Sequence, residues 1–503
     1  MVISSPPEMS WGVRADFSVL TPHVPPHSML SRLHAGPLPG LIPSDDYGML
    51  LPYVGAVSSS YEGLHTTKFG LVTIEGMIVT DAVYERIDIG FNYHTNTRST
   101  AYQLAVNIPG GESAVYQQRL LAVCAVDGSW ITAFEYVDIV FSQDVILMMR
   151  NYDTFDIDVY NYDGRFLYNF LGLDWIDDIA GDTWAGSIIH SASDGYMSAR
   201  LRNRALAFID VATGEIVRRT EFTGADMFSE GLAAVAVTMP GSYETLWGYI
   251  NRDFEMVIPP RYIYANRFMN GSAVAAVSDT HSLLINTRGE TLLSVTDGTI
   301  EQFYDDTGFI VHRWDGRSPV YYTKDLIEIE LLSKPEDDFF YAYSLGGGWL
   351  SGANEDGAWL FTLGEEHFFP GFSYISYTDG EFLIYRDTEQ NTGVISLSGA
   401  ELIPPESNMS ITAVTDGQAA RAFIVNIFEP QPYSLSYELP RRYAPSRFRL
   451  VGTDGRVIAF GRGTMSYDES TGLLSVQAED SFSYLSHDAE VIISIPLMSY
   501  ALD

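Results

Sequence analysis

From Tyr47 onward, short apolar runs rich in Val, Ile, Leu, Phe and Tyr alternate with turns of Asp, Asn and Gly. No stretch carries an apolar stripe at helical spacing for more than two turns, so the pattern predicts an all-β chain. One unit recurs: a strand, a polar turn and a return strand. "GLVTIEGMIV" turns at Gly76, "LLAVCAVDGSWI" at Gly128, "DVYNYDGRFLY" at Gly164 and "LAFIDVATGEIV" at Gly214. Later copies turn near Asp253, at Gly289, near Asp325, at Gly364, Gly399 and Gly455, and near Asp488. The turn glycines supply the positive φ that tight hairpins need.

These turn centres run from 76 to 488 with a mean spacing of about 41 residues, and a period of roughly 40–45 residues is that of a four-stranded propeller blade. A second recurring piece is "MFSEGLAAVAV" (227–237) and "RFMNGSAVAAV" (267–277), in which Phe228 and Phe268 each precede a glycine and an Ala/Val strand. Strands apolar on both faces belong in a sheet covered on both sides. The expected fold is a β-propeller, either one large ring or two smaller ones joined near 260–320, with an open β-superhelix as the alternative. Closure is expected from Tyr47–Val57 lying beside Glu490–Leu497.

The first 45 residues have a different texture. Eight of the 23 prolines fall there, which predicts an extended tail. Residues 46–270 and 271–503 read as two sets of β-repeats, the second continuous with the first or separate. A chain of 503 residues exceeds the roughly 250–300 at which single cores stop growing.

The best-defined stretch is "WGYINRDFEMVIPPRY", Trp247 to Tyr262. Trp247 offers a large apolar surface, and Gly248 lets a neighbouring backbone come close. Pro259 and Pro260 end strand pairing because proline donates no ladder hydrogen bond, and Tyr262 is positioned to cap the next layer. These are structural roles, and Trp247→Ala is expected to cost about 3–5 kcal/mol. Degenerate copies keep the frame: Phe69, Gly70 and Tyr84 in one, Gly393, Pro404 and Pro405 in another, and Trp11 with Gly12 near the start. In these residues the chain resembles the WG-repeat proteins of bacteria. Their pattern is aromatic-Gly, turn, Ile-Pro-Pro-x-Tyr, then Phe-x-x-Gly and a strand. The resemblance implies a β-repeat assembly, often surface-exposed or exported, with no assigned reaction and no catalytic residues to carry over.

Charge narrows the partners. With 29 basic and 65 acidic residues the net charge is −36, which argues against nucleic acid and anionic lipid surfaces. No run approaches the ~20 apolar residues of a membrane span. No signal peptide is visible at the start of the chain, so the expected compartment is cytoplasmic, or extracellular if an export segment is missing. The single cysteine, Cys124, lies in an apolar run and reads as a small buried residue.

No nucleophile elbow, phosphate loop, His-Glu-x-x-His or dinucleotide fingerprint occurs. "VDGSW" (126–130) reads as a plain turn. The densest acidic group holds Asp153, Asp156, Asp158 and Asp163. It reads first as a solvated hairpin face, with a calcium site as the alternative. Trp175, Trp184, Trp314 and Trp349 lie outside the motif positions and read first as core packing, with stacking on a sugar or protein partner as the alternative. The expected function is a non-enzymatic scaffold for a protein or glycan partner, with no cofactor. The competing readings are a carbohydrate-active propeller enzyme using paired carboxylates and a calcium-stabilised module.

Overall fold

The computed structural model describes residues 41–44, 46–59, 65–92, 97–107, 119–150, 156–170, 173–174, 192–201, 206–220, 222–239, 244–302, 308–314, 320–329, 342–416, 419–428, 445–478 and 480–499. The proline-rich segment expected over 1–45 lies almost wholly outside them. The described strands form eleven sheets in chain order. The first holds residues 50–73 plus 498–499, the second 86–125, the third 138–170 and the fourth 173–220. The fifth spans 224–262, the sixth 264–296, the seventh 298–329 and the eighth 342–370. The ninth spans 372–406, the tenth 409–461 and the eleventh 464–496. From the third sheet on, each is a four-stranded antiparallel meander with its strands in sequence order. The all-β propeller expectation holds.

Each expected hairpin is the third-to-outer-strand turn of one sheet. The eight turn glycines all adopt positive φ. Where Asp253, Asp325 and Asp488 stand in for glycine, the left-handed position is the next residue: Phe254 (φ 62°), Leu326 (φ 60°) and Ala489 (φ 63°). A polar side chain at the turn's start holds it closed. Asn251 Oδ1 accepts the Asp253 and Glu255 amides at 3.0 and 2.9 Å, and Asn286 does the same for Arg288 and Glu290. Such local bonds offer the backbone an alternative to ladder pairing.

Neighbouring sheets pack face to face. Leu147 and Val159 of the third sheet meet Met197 and Ile209 of the fourth, and Tyr249 and Ile258 of the fifth meet Ala273 and Ile285 of the sixth. That second cluster spans residue 270, so the two sets of repeats are continuous there. The last seam joins Phe482, Tyr484 and Ile493 of the eleventh sheet to Leu51, Tyr53 and Val72 of the first. The ring is therefore single and closed, which removes the two-ring and superhelix alternatives. Closure differs in detail from expectation. Leu50–Ser59 pairs in parallel with Met498–Ser499, while Val491–Pro496 pairs with Ser481–Leu485 and contributes through its face. Burial of two apolar faces, with only a two-residue ladder, makes the seam.

Two polar devices repeat between sheets. Tyrosine hydroxyls donate to carbonyls of the adjacent sheet: Tyr102 to Leu50 at 2.9 Å, Tyr168 to Val211 at 2.6 Å, Tyr249 to Asn266 at 2.7 Å, and Tyr467 to Thr415 at 2.7 Å. Tyr484 donates to Pro52 across the closing seam. The second device sits in the first hairpin of the sheets. Asp194-Gly195, Glu230-Gly231 and Asn270-Gly271 each have two successive positive φ values, the type I′ geometry that suits right-twisted strands. The acid of one turn accepts the amide of the next: Asp144 from Gly195, Asp194 from Gly231, and Glu230 from Gly271, at 2.8, 2.8 and 2.9 Å. Asp379 accepts from Ala420 at 2.8 Å in the same way.

Candidate functional site

The motif residues of the fifth sheet are spent on packing. Pairing does not end at Pro259 and Pro260 as expected: the strand Met256–Tyr262 runs through them, with Trp247 paired to Tyr262 and Tyr249 to Ile258, so the prolines bulge over Gly248 and ladder bonding resumes beyond them. A Cβ on Gly248 would overlap the Ile258 carbonyl oxygen and lie 2.8 Å from Pro260 N. Glycine is required because the Pro-Pro bulge crosses it. Tyr262 is fully buried, and Arg261 stacks its guanidinium 5.0 Å from that ring. Arg261 Nη2 also donates to the Tyr262 hydroxyl and to the Gly289 carbonyl of the next sheet, both at 2.7 Å.

The same frame appears at Phe69, Gly70 and Tyr84, where Phe69 bridges Tyr84. It appears again where Thr392 pairs with Glu406 and Val394 with Ile403, leaving Pro404 and Pro405 in the bulge beside Gly393. A further copy is hidden from the sequence pattern: Leu121 bridges Tyr136. Its aromatic-Gly has become Leu-Ala and its Pro-Pro has become Ala-Phe. The surviving signals are the spacing to the tyrosine and a threonine four residues before it. Thr80 Oγ1 accepts the Leu71 amide at 2.8 Å, and Thr132 Oγ1 accepts the Val123 amide at 3.0 Å.

That hidden tyrosine leads to the main buried polar cluster. Tyr136 donates to Asp158 Oδ2 at 3.0 Å and lies 3.2 Å from the Tyr160 hydroxyl. Arg150 Nε and Nη2 reach the same carboxylate oxygen at 2.9 and 2.6 Å, and Arg150 Nη1 reaches Glu135 at 3.2 Å. The Asp158 side chain is 1 % exposed and that of Arg150 43 %. Burial first, then the bond to Tyr160, pushes the Tyr136 phenol far above its ordinary range. Asp158 thus pairs with a guanidinium. Asp163 accepts from Asn161 Nδ2 at 3.1 Å on an exposed turn, Asp156 is half-buried, and Asp153 lies outside the described residues. Among the described residues, no group of three or more His, Cys, Asp or Glu in metal-holding geometry occurs, so Asp156, Asp158 and Asp163 do not form one.

The tryptophans separate. Trp359 is buried, Trp247 and Trp349 are half-buried, and Trp314 is 52 % exposed, so core packing does not describe Trp314. Trp175 and Trp184 lie outside the described residues. Tyr343 and Tyr374 stack at 5.3 Å across the eighth and ninth sheets, with Tyr374 41 % exposed. Cys124 is buried, and burial pushes its thiol up to about 12.

Residues 247–279 match the WG-containing repeat, so the chain carries a repeat of the family that its motif resembles. No curated protein matches the sequence. Similar solved structures include a eukaryotic initiation factor, with 10 % identity, TM-score 0.40, and coverage of 71 % of this chain and 95 % of that one. BamB from Moraxella catarrhalis has 9 % identity and TM-score 0.25, covering 71 % and 95 %. The Dos1 propeller has 13 % identity and TM-score 0.30, covering 62 % and 93 %. No described helix is long and apolar enough to cross a membrane.

Proposed function

We propose that the protein is a non-enzymatic ring scaffold that binds a protein partner. The observation that supports this is the division of labour between positions. Residues that repeat from sheet to sheet, such as Tyr249, Tyr262, Phe228 and Phe268, are buried in the seams. Residues that differ from sheet to sheet, such as Val457, Met256, Ile216 and Phe368, are exposed on the outer strands. A repeated frame with a variable, partly apolar surface suits recognition.

The test is an activity screen set beside a binding measurement. Purified protein incubated with a panel of polysaccharides is expected to release no reducing sugar. Sugar release that a single carboxylate replacement abolishes would replace this reading with the carbohydrate-active one. A glycan partner is the second reading, favoured by the exposed Tyr374 against Tyr343. It expects retardation in polysaccharide-containing gels that Tyr374→Ala removes. The calcium-stabilised module expects a melting temperature that rises with added calcium.

A further inference from the structure

The chain is strongly acidic, but its charge is unevenly distributed. Residues 407–462, which contain the tenth sheet, hold seven arginines against four acidic residues in a chain of net charge −36. The described arginines of that sheet are Arg421, Arg447, Arg449, Arg456 and Arg462. Arg447 and Arg449 alternate on one face of the third strand, Pro445–Gly452. Arg449 stands opposite Phe460 of the outer strand, so the two side chains share a face. Arg456 and Arg462 are exposed and flank that outer strand, Val457–Gly461. Arg449 holds Glu406 only loosely, at 3.7 Å, and Arg456 holds Asp454 at 3.5 Å.

The outer strand itself is apolar and exposed. Val457 is 50 %, Ile458 46 % and Phe460 41 % exposed. An edge strand presents alternate backbone N–H and C=O groups away from its sheet, and proline is a common means of blunting it. The outer strands of the fifth and ninth sheets carry Pro259-Pro260 and Pro404-Pro405, and those of the eighth and eleventh end in Pro370 and Pro496. Val457–Gly461 has no proline, like the outer strands of the third, fourth, sixth and seventh sheets, and differs from them in the arginines on the strand beside it. Ile216–Thr220 of the fourth sheet is a smaller version, with Ile216, Val217 and Arg218 exposed.

We propose that the edge strand Val457–Gly461 is the docking site for an acidic, extended peptide segment, which adds to the tenth sheet as a further strand. Backbone pairing would hold the segment, its apolar side chains would meet Val457, Ile458 and Phe460, and its carboxylates would meet Arg456, Arg462 and the Arg447–Arg449 row. At physiological salt the screening length is about 8 Å, so this local basic patch, and not the total charge, sets the attraction at contact. The proposal rests on the scaffold reading and names its partner class.

The experiment measures fluorescence anisotropy of a labelled peptide alternating Glu and Val against the full chain, with a Lys–Val peptide of equal length as control. The acidic peptide is expected to bind and the basic one not to. The double variant Arg456→Glu, Arg462→Glu changes only exposed side chains and is expected to weaken binding at least about tenfold. Ile458→Pro is expected to abolish it, with circular dichroism confirming the fold. Ile216→Pro in the fourth sheet is expected to leave it unchanged. Equal binding of both peptides, or binding unaffected by the arginine variant, overturns the proposal. So does a concentration-dependent dimer that the arginine variant dissociates and the peptide does not, which would assign the edge to a second copy. None of these failures would produce sugar release, so they remain distinct from failure of the scaffold reading.

Discussion

The Asp194 carboxylate accepts the Gly231 amide hydrogen at 2.8 Å, linking the first turn of the fourth sheet to that of the fifth. Asp144 and Glu230 repeat the bond on either side. Asp194→Ala should lower stability by about 1–2 kcal/mol, from a lost charge-assisted bond and a left-handed backbone at φ 53°. Asp194→Asn, which keeps an acceptor and tolerates that backbone, should remain nearer wild type. Urea midpoints of the two variants check this.

Two glycines separate steric from conformational effects. Gly248→Ala places a Cβ against the Ile258–Pro260 backbone and should cost about 3 kcal/mol or more. Gly271→Ala meets no atom within 4 Å but has φ +78°, so only about 1–2 kcal/mol is expected. The order of thermal midpoints, Gly248→Ala below Gly271→Ala, is the measurable outcome.

Removing Arg150 would strand Asp158 in the interior. Arg150→Met is expected to cost about 3 kcal/mol, at the low end for a broken buried pair because water reaches the guanidinium. Adding Asp158→Asn to that variant should recover part of the loss. A double-mutant cycle showing strict additivity would contradict the coupling.

Alkaline pH should unfold the ring. Burial raises the Tyr84 and Tyr162 phenols from 10.0 to about 12 and the Cys124 thiol from 9.0 to about 12. The unfolded chain releases these protons first. Their contribution is therefore fully present below the unfolded values, pH 10 for the phenols and pH 9 for the thiol. It is lost as pH rises toward 12. Urea midpoints should fall between about pH 9 and 12, and less steeply in Cys124→Ala.

Tryptophan substitutions should split by burial. Trp247, packed against the Tyr249–Tyr262 cluster, should cost about 3 kcal/mol as alanine. Trp314→Ala, at an exposed position, should stay within about 0.5 kcal/mol of wild type.

Much of the architecture was legible because local chemistry carries it. The strand-turn-strand pattern located a hairpin in every sheet, since turns must be polar and bent whatever surrounds them. The Phe-x-x-Gly element located the buried Phe228 and Phe268, because small apolar strands fit only between two covered faces. The copy at Leu121–Tyr136 escaped because its aromatic, glycine and prolines had all changed while the backbone bridge persisted. The buried Asp158 escaped because a carboxylate in an acidic run looks solvated until its arginine is seen across the sheet.

The sequence by itself determined the β-class, the repeat length and the residues that turn each unit, because these depend on neighbours along the chain; that the Pro-Pro pairs bulge within a continuing strand, and do not end it, appeared only across the ladder. The tertiary structure alone decided that the ring is single and closes on a parallel pair at Ala56–Val57. It decided which carboxylates latch adjacent sheets, and it showed that exposed apolar residues and arginines share one edge of the tenth. Closure depends on groups hundreds of residues apart, such as Tyr484 and Pro52, and each latch on groups one sheet apart, such as Asp194 and Gly231, which no local pattern brings together.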